Sequence, residues 1–152
     1  MVDPRARLAE LGLTLPPVTP PVAAYVPAVQ SGKHVYVSGQ LPMIDGKLVA
    51  TGKVGEGVSA EQAKELAQRC ALNAIAAIDA LVGIENVVKV VKVGGFVASA
   101  QGFTGQPGVI NGASELFGAV FAEAGQHARS AVGVAELPLG APVEVEVIVE
   151  VA

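Results

Sequence analysis

Residues 129–152, RSAVGVAELPLGAPVEVEVIVEVA, contain the most regular strand pattern in the chain. Valine occupies every second position from Val143 to Val151, and three glutamates stand between these valines. A period of two predicts a strand with one apolar face and one polar face. Residues 130–137 predict the strand before it, and the proline- and glycine-containing segment 138–142 predicts the turn between the two strands.

The first third of the chain combines a short helix, a proline-rich segment and paired strands. Asp3-Pro4 provides the N-cap and the first-turn residue of a helix, RARLAEL. The prolines of residues 13–21 predict an extended arm on the surface. Residues 23–32 and 33–42 predict two successive strands, and Asp45-Gly46 between apolar residues predicts a tight hairpin.

The middle of the chain predicts two longer helices separated by a strand. Ser59 begins a capping box, and apolar residues at helical spacing follow it as far as Gly83, which has the position of a C-cap. Residues 86–99 are rich in valine and predict a strand. The four glycines of residues 101–112 predict a long irregular loop, and residues 113–125 predict the second helix.

The resulting order of elements predicts an α+β fold, in which two helices cover one face of a mixed β-sheet. A length of 152 residues fits one domain. We therefore expect a single domain, residues 1–152, with residues 1–21 as an N-terminal helix and proline-rich arm. The hydrophobic content of 51% is high for a small monomer, and it predicts that apolar surface is buried between subunits.

Composition and motifs argue against several classes of function. A net charge of −4 disfavours a nucleic-acid binder, and no apolar run reaches the roughly 20 residues of a membrane helix. The two histidines, His34 and His127, are far apart, so we expect no metal site. No glycine motif has the spacing of a nucleotide-binding loop, so we expect no cofactor. A single cysteine and the absence of a signal peptide predict a cytoplasmic location.

Two charged residues near the C-terminus are candidates for catalysis. Arg129 precedes a predicted strand, and its planar guanidinium is either a clamp for a substrate carboxylate or an ordinary surface arginine. Glu144 lies on the polar face of the next predicted strand, where it either holds a water or is one of three solvated glutamates. On neighbouring strands, the two could bind a small carboxylate and direct a water at it.

Other candidates for the site lie on the first two predicted strands. Tyr25 and Ser38 either line a pocket or are common strand residues. Gly39 allows a ligand to approach the backbone closely. His127, two residues before Arg129, is a candidate for a pocket rim. Cys70 lies in the apolar stripe of the first long helix and is interpreted as a core residue.

Four segments carry a resemblance to a known family. VYVSGQLP is similar to a strand that ends in SGQ(I/L)P, and Tyr25 stands thirteen residues before Ser38. A capped, alanine-rich helix is followed by VVKVVKVGGFV. RSAVGVAELPLGAPVEVEV matches the signature R-S-x-V-x-V-x-x-L-P-x-x-x-x-(I/V)-E-(I/V)-E. The chain thus resembles the Rid/YjgF family of reactive-intermediate deaminases, often labelled "endoribonuclease L-PSP".

This resemblance implies a chorismate-mutase-like protomer and a homotrimer with one site at each subunit interface. It also implies cofactor-free hydrolysis of 2-imino or enamino acids, such as that derived from 2-aminoacrylate, to 2-oxo acids and ammonia. By position, Arg129 would hold the substrate carboxylate and Glu144 would position the attacking water. Tyr25 and Ser38 would line the pocket, with Gly39 beside them.

The chain departs from the family pattern in ways that indicate a distinct subgroup. Ala131 stands where the family often has cysteine, residues 99–114 are longer and richer in glycine, and the N-terminal arm is extended. Three alternatives to a deaminase therefore remain. They are a non-catalytic trimer that binds small carboxylates in the same clefts, an endoribonuclease, and a purely structural partner protein. The acidic charge and the lack of a histidine pair disfavour the ribonuclease.

Overall fold

A five-stranded mixed β-sheet forms the centre of the computed structural model, which describes residues 2–18 and 24–152. Its strands are β1 (Ala28–Ser31), β2 (His34–Gln40), β5 (Val87–Ala98), β6 (Ala128–Val134) and β7 (Val143–Val151). They lie in the order β1-β2-β7-β5-β6, and β5 and β6 form the one parallel pair among them. The predicted mixed sheet is therefore confirmed.

Two long helices, α2 (Ala60–Val82) and α3 (Gln106–Phe121), pack against each other and against one face of this sheet. The Ser59 Oγ atom accepts a hydrogen bond from the Gln62 backbone N–H at 3.1 Å, which confirms the predicted helix start. The core contains the valine face of β7 and large helix side chains such as Ile75 and Phe117. Burying each of these large side chains contributes about 1.5–3 kcal/mol. No helix in the described part of the chain is long and apolar enough to cross a membrane.

Two adjacent glycines on β5 distinguish the faces of the sheet. A Cβ atom added to Gly95 would lie 2.5 Å from Ile110 Cδ1 on α3, so this position requires glycine for the helix to approach. A Cβ atom on Gly94 would instead lie 2.9 Å from Glu146 Cγ. We call the side of the sheet that carries Gly94 and Glu146 the open face.

The open face carries apolar side chains that no other described part of the chain covers. Tyr36 is 45% exposed and Val132 is 44% exposed. A cavity of about 330 Å³ opens on this face, between Phe96, Glu146 and these two side chains. Exposed apolar surface around a cavity is typical of an interaction surface.

The predicted N-terminal helix is present as α1 (Pro4–Glu10). Asp3 is its N-cap and accepts a hydrogen bond from the Arg5 backbone N–H at 3.0 Å. The Arg5 guanidinium contacts the carboxylates of Asp79 and Glu85, each at 2.6 Å. These ion pairs attach α1 to the end of α2 and the turn after it, and the Leu8 side chain is buried in the core. Of the proline-rich arm, residues 19–21 lie outside the described residues.

The hairpin predicted at Asp45-Gly46 is confirmed. Strands β3 (Met43–Ile44) and β4 (Lys47–Leu48) pair across this turn in a separate two-stranded sheet. Asp45 and Gly46 have φ values of 53° and 77°, and positive φ at both central residues is what a type I′ turn requires.

The prediction of a long irregular loop over residues 101–112 is wrong, because α3 already begins at Gln106. Pro107 occupies the first turn, where its missing N–H has no helical partner to lose. Gly112 faces α2 so closely that a Cβ atom would overlap the Lys64 carbonyl oxygen. The glycine that suggested a loop therefore serves helix–helix contact, and the irregular segment before α3 is short.

Candidate functional site

Arg129 lies inside β6 and pairs with Val93 of β5, so the prediction that it precedes the strand is wrong. Val93 shares the helix-covered face with Gly95, because alternate residues of a strand point to the same side. The guanidinium accordingly contacts α3. Its Nη1 donates to Asn111 Oδ1 at 2.8 Å and to Ser114 Oγ at 3.2 Å, and its Nη2 donates to the Pro107 carbonyl at 3.3 Å.

These three hydrogen bonds leave one edge of the Arg129 guanidinium unused. They occupy both hydrogens of Nη1 and one hydrogen of Nη2. The Nε–H and the second Nη2–H have no acceptor among residues 2–18 and 24–152. These two nitrogens form one edge of the guanidinium plane, which matches the two oxygens of a carboxylate. Arg129 is therefore both held in place and free to bind an anion.

We call Pro107, Asn111 and Ser114 the α3 cradle. They are spaced by four and then three residues, which places them on one face of the helix. The sequence did not reveal this cradle, because the prediction placed Asn111 in a loop and Ser114 in the helix after it, with no common face. The signal that would have found them is the helical spacing of polar side chains after Pro107, at the start of an apolar helix.

Glu144 lies on β7 and pairs with Phe96 of β5, which places its side chain on the open face. It is half-buried, and Gly39 lies against its carboxylate, where a Cβ atom would overlap Oε2. Burial raises the pKa of Glu144, and the nearby charge of Glu146 raises it further. A carboxylate of raised pKa is a better proton acceptor than an exposed glutamate.

The expectation that Arg129 and Glu144 lie on neighbouring strands is wrong. Strand β5 separates β6 from β7, and the two side chains point to opposite faces of the sheet. Their partners on β5, Val93 and Phe96, are three residues apart. The Cα atoms of Arg129 and Glu144 are therefore separated by two inter-strand spacings across the sheet and by the rise of three residues along it, which places them about 14 Å apart. The cation and the carboxylate therefore do not meet within one protomer.

Tyr25, Ser38 and Gly39 are placed by contacts at the end of β2. Tyr25 lies in a bend before β1 and is 50% exposed, so its assignment to the first strand is wrong. The Ser38 hydroxyl donates to the Val26 carbonyl at 2.6 Å, and the Ser38 backbone N–H donates to the Pro27 carbonyl at 2.8 Å. These bonds attach the Tyr25 segment next to Gly39, and hence to the side of the molecule that carries the Glu144 carboxylate.

Cys70 is buried in α2, as the sequence predicted. Burial raises the pKa of its thiol, and the charge of Glu144 adds to the increase. A buried thiol of raised pKa is a poor nucleophile, which agrees with a packing role.

Comparison with known proteins identifies the family. The sequence model of the family described as Endoribonuclease L-PSP matches residues 17–151. The chain belongs to the endoribonuclease L-PSP family. The resemblance to Rid/YjgF proteins is therefore confirmed, because this is the family to which that label refers.

Several L-PSP family relatives match over most of their length. Protein TCP17 from Trypanosoma cruzi is 44% identical over 147 residues, which are 95% of this chain and 92% of that protein. A 2-iminobutanoate/2-iminopropanoate deaminase from Dermatophagoides farinae is 36% identical over 134 residues, covering 88% of this chain and 91% of that one. The crystal structure of Atu1372 from Agrobacterium tumefaciens, a protein of unknown function, matches with a TM-score of 0.92 and 46% identity. That match covers 98% of this chain and 92% of Atu1372.

Proposed function

We propose that this protein hydrolyses 2-imino or enamino acids, such as that derived from 2-aminoacrylate, to 2-oxo acids and ammonia without a cofactor. The observation that carries the proposal is the unused N–H edge of Arg129, held in place by the α3 cradle. The 36% identical relative that bears the name 2-iminobutanoate/2-iminopropanoate deaminase supports it.

The proposed chemistry needs a clamp, a water and a proton acceptor. Arg129 binds the substrate carboxylate, which fixes the position of the adjacent imine carbon. Water oxygen adds to that carbon while the C=N electron pair moves to nitrogen. Glu144 accepts a proton from the water and donates it to nitrogen, which gives a carbinolamine. In a second transfer, Glu144 accepts the proton of the new hydroxyl group and donates it to nitrogen, so that the C–N bond breaks as C=O forms and ammonia leaves. The raised pKa of Glu144 suits both of its proton transfers.

We further propose that two protomers of a homotrimer complete each site. Arg129 and Glu144 are separated in one protomer, so a cleft that uses both requires a second copy. The uncovered apolar side chains of the open face, among them Tyr36 and Val132, give such a copy a surface to bury. In this arrangement, the segment with Tyr25, Ser38 and Gly39 lines the pocket on the side of Glu144.

The first test is the deaminase activity of Arg129→Ala, with the imino acid generated enzymatically and the remaining imine trapped by semicarbazide. Two hydrogen bonds between charged groups contribute about 1.5–3 kcal/mol each, so kcat/KM is expected to fall about 10²- to 10⁴-fold. Lys47→Ala, which removes an exposed cation from the β3–β4 hairpin, serves as the matched control and should keep full activity. An unchanged rate for Arg129→Ala would contradict the proposal.

A non-catalytic trimer that binds short carboxylates is the second candidate function. The separation of Arg129 from Glu144 within the protomer favours it, because the Arg129 edge alone suffices to bind an anion. This alternative would be established if the wild-type protein binds 2-oxobutanoate but does not raise the rate of imine hydrolysis above the rate without protein.

An endoribonuclease, which the family name describes, is the least supported reading. The net charge of −4 opposes the binding of a polyanion. RNA cleavage that co-purifies with the protein and disappears in Arg129→Ala would be required to adopt it.

We also propose a cytoplasmic location, as the sequence predicts.

A further inference from the structure

We propose that Ser114 and His127 form a relay that holds the Arg129 guanidinium in the orientation required for the substrate carboxylate. This inference rests on the proposed function, since it assigns positioning residues to the same site. Ser114 lies on α3 and His127 lies just before β6, so the relay joins the two elements that flank Arg129.

The hydrogen-bond directions in the relay follow from one fixed acceptor. His127 Nδ1 lies 2.6 Å from the Gly125 carbonyl oxygen, and a carbonyl accepts only, so Nδ1 carries the hydrogen. In the neutral ring, Nε2 then has a lone pair and accepts from the Ser114 hydroxyl at 2.9 Å. The Ser114 hydrogen is thereby directed away from Arg129, and an Oγ lone pair is left to accept from Nη1 at 3.2 Å.

Packing keeps the histidine ring in this orientation. The Phe117 ring meets the His127 ring edge to face, with centroids 6.0 Å apart and an interplanar angle of 80°. Phe117 is fully buried in the core, so the ring is supported by a rigid part of the fold. His127 therefore acts on Arg129 through Ser114 and does not itself contact the guanidinium.

Two acceptors on the same nitrogen determine the guanidinium plane. Asn111 Oδ1 and Ser114 Oγ both accept from Nη1. Losing Ser114 Oγ leaves only the bonds to Asn111 Oδ1 and the Pro107 carbonyl, about which the guanidinium can still tilt. The edge that would receive the carboxylate is then no longer preorganised, and binding must immobilise it. Because the clamp acts equally on bound substrate and transition state, the expected defect is in KM.

The experiment compares wild type with Ser114→Ala, Ser114→Thr, His127→Asn and His127→Gln. Ser114→Ala removes the acceptor, whereas Ser114→Thr keeps the hydroxyl. His127→Asn keeps a donor to Gly125 O but loses the acceptor for Ser114, whereas His127→Gln restores an acceptor near Nε2. The measurements are KM and kcat for the imino acid, the Kd for 2-oxobutanoate by NMR titration, and the exchange of the Arg129 Nη1 hydrogens with water.

Ser114→Ala is expected to raise KM and Kd about five- to tenfold, the effect of losing an ordinary hydrogen bond, because the lost bond positions the clamp and is not made to the ligand. His127→Asn acts indirectly, and we expect about a threefold rise. In both variants kcat stays within about twofold of wild type and the Arg129 Nη1 hydrogens exchange faster. Ser114→Thr and His127→Gln are expected to restore KM to within about twofold.

The outcomes separate this inference from the proposed function. Lower thermal stability with unchanged KM and Kd would show that the relay has only a structural role, and it would overturn the inference. Wild-type protein that neither hydrolyses imines nor binds 2-oxobutanoate would overturn the proposed function instead. Unchanged exchange of the Arg129 Nη1 hydrogens in Ser114→Ala would overturn the relay whatever the activity.

Discussion

Subunit complementation tests whether the site takes Arg129 from one protomer and Glu144 from the next. Arg129→Ala removes the proposed carboxylate clamp, and Glu144→Gln removes the proposed proton acceptor while keeping the volume of the side chain. Each variant alone is expected to lose activity. If the two residues come from different copies, an interface of a mixed trimer is functional where an intact Arg129 faces an intact Glu144.

The activity expected in mixed assemblies follows from the separation of Arg129 and Glu144 within one protomer. Their strands are divided by β5 and their side chains point to opposite faces, so a protomer cannot supply both to one site. In a ring with head-to-tail interfaces and random assembly from equal amounts, about one quarter of the interfaces pair the two intact residues. The recovered activity should therefore reach about a quarter of wild type and be greatest at equal amounts.

The assay unfolds both variants together in guanidinium chloride, refolds them and measures semicarbazide-trapped imine hydrolysis. Each variant refolded alone gives the baseline. A second mixture combines wild type with a chain that carries both substitutions. In this mixture, shared sites retain about one quarter of wild-type activity, whereas sites within one protomer retain about one half.

Two results together would refute the shared site. They are the absence of recovery when the single variants are mixed, and half-activity when wild type is mixed with the doubly substituted chain. A light-scattering mass of a monomer for the active wild-type protein would refute it directly.

Three further predictions concern glycine contacts and the half-buried carboxylate of Glu144. Gly112→Ala should lower the free energy of unfolding by about 3 kcal/mol or more, because its Cβ atom would overlap the backbone of α2. In the same helix, the Cβ atom of Gly118→Ala meets nothing within 4 Å, and this variant should raise the free energy of unfolding by about 0.5–1 kcal/mol. Urea unfolding measures both changes. Gly39→Ala should displace the flexible carboxylate of Glu144, so that kcat falls about tenfold while the free energy of unfolding changes by less than about 1 kcal/mol. The control is Gly57→Ala, whose added Cβ atom meets no other atom within 4 Å. Equal kcat values for the two variants would contradict this reasoning. Because the pKa of Glu144 is raised in the folded state, its contribution to stability is greatest below the unfolded pKa and is lost as pH rises through the folded pKa. Glu144→Gln should therefore raise the Tm at pH 8 relative to wild type, and this gain should vanish near pH 4. A gain in Tm confined to low pH would contradict the raised pKa.

The elements that the sequence predicted well are those set by neighbouring residues. The Ser59 cap, the Asp45-Gly46 turn and the valine alternation from Val143 each depend on contacts within a few residues of chain. Such patterns are local because capping, turn geometry and side-chain periodicity act over one to three residues at a time. The mixed sheet with helices on one face follows from them by packing rules.

The candidate site was predicted as residues but not as an arrangement. Arg129, Glu144 and Gly39 were named from the chain, yet the chain alone placed the first two on adjacent strands. The insertion of β5 between β6 and β7 depends on which apolar faces bury each other, and no local pattern encodes that choice. Asn111 and Ser114 escaped notice because Gly112 resembles a loop signal until its contact with Lys64, 48 residues away, is known.

Residue types and spacing were thus enough to establish most of the helices and strands, and to nominate a guanidinium and a carboxylate. Strand order, the facing of side chains and the start of α3 depended on contacts between residues far apart in the chain. The physical reason is that local propensity is worth tenths of a kcal/mol per residue, whereas burial of whole apolar faces is worth far more and selects the partners.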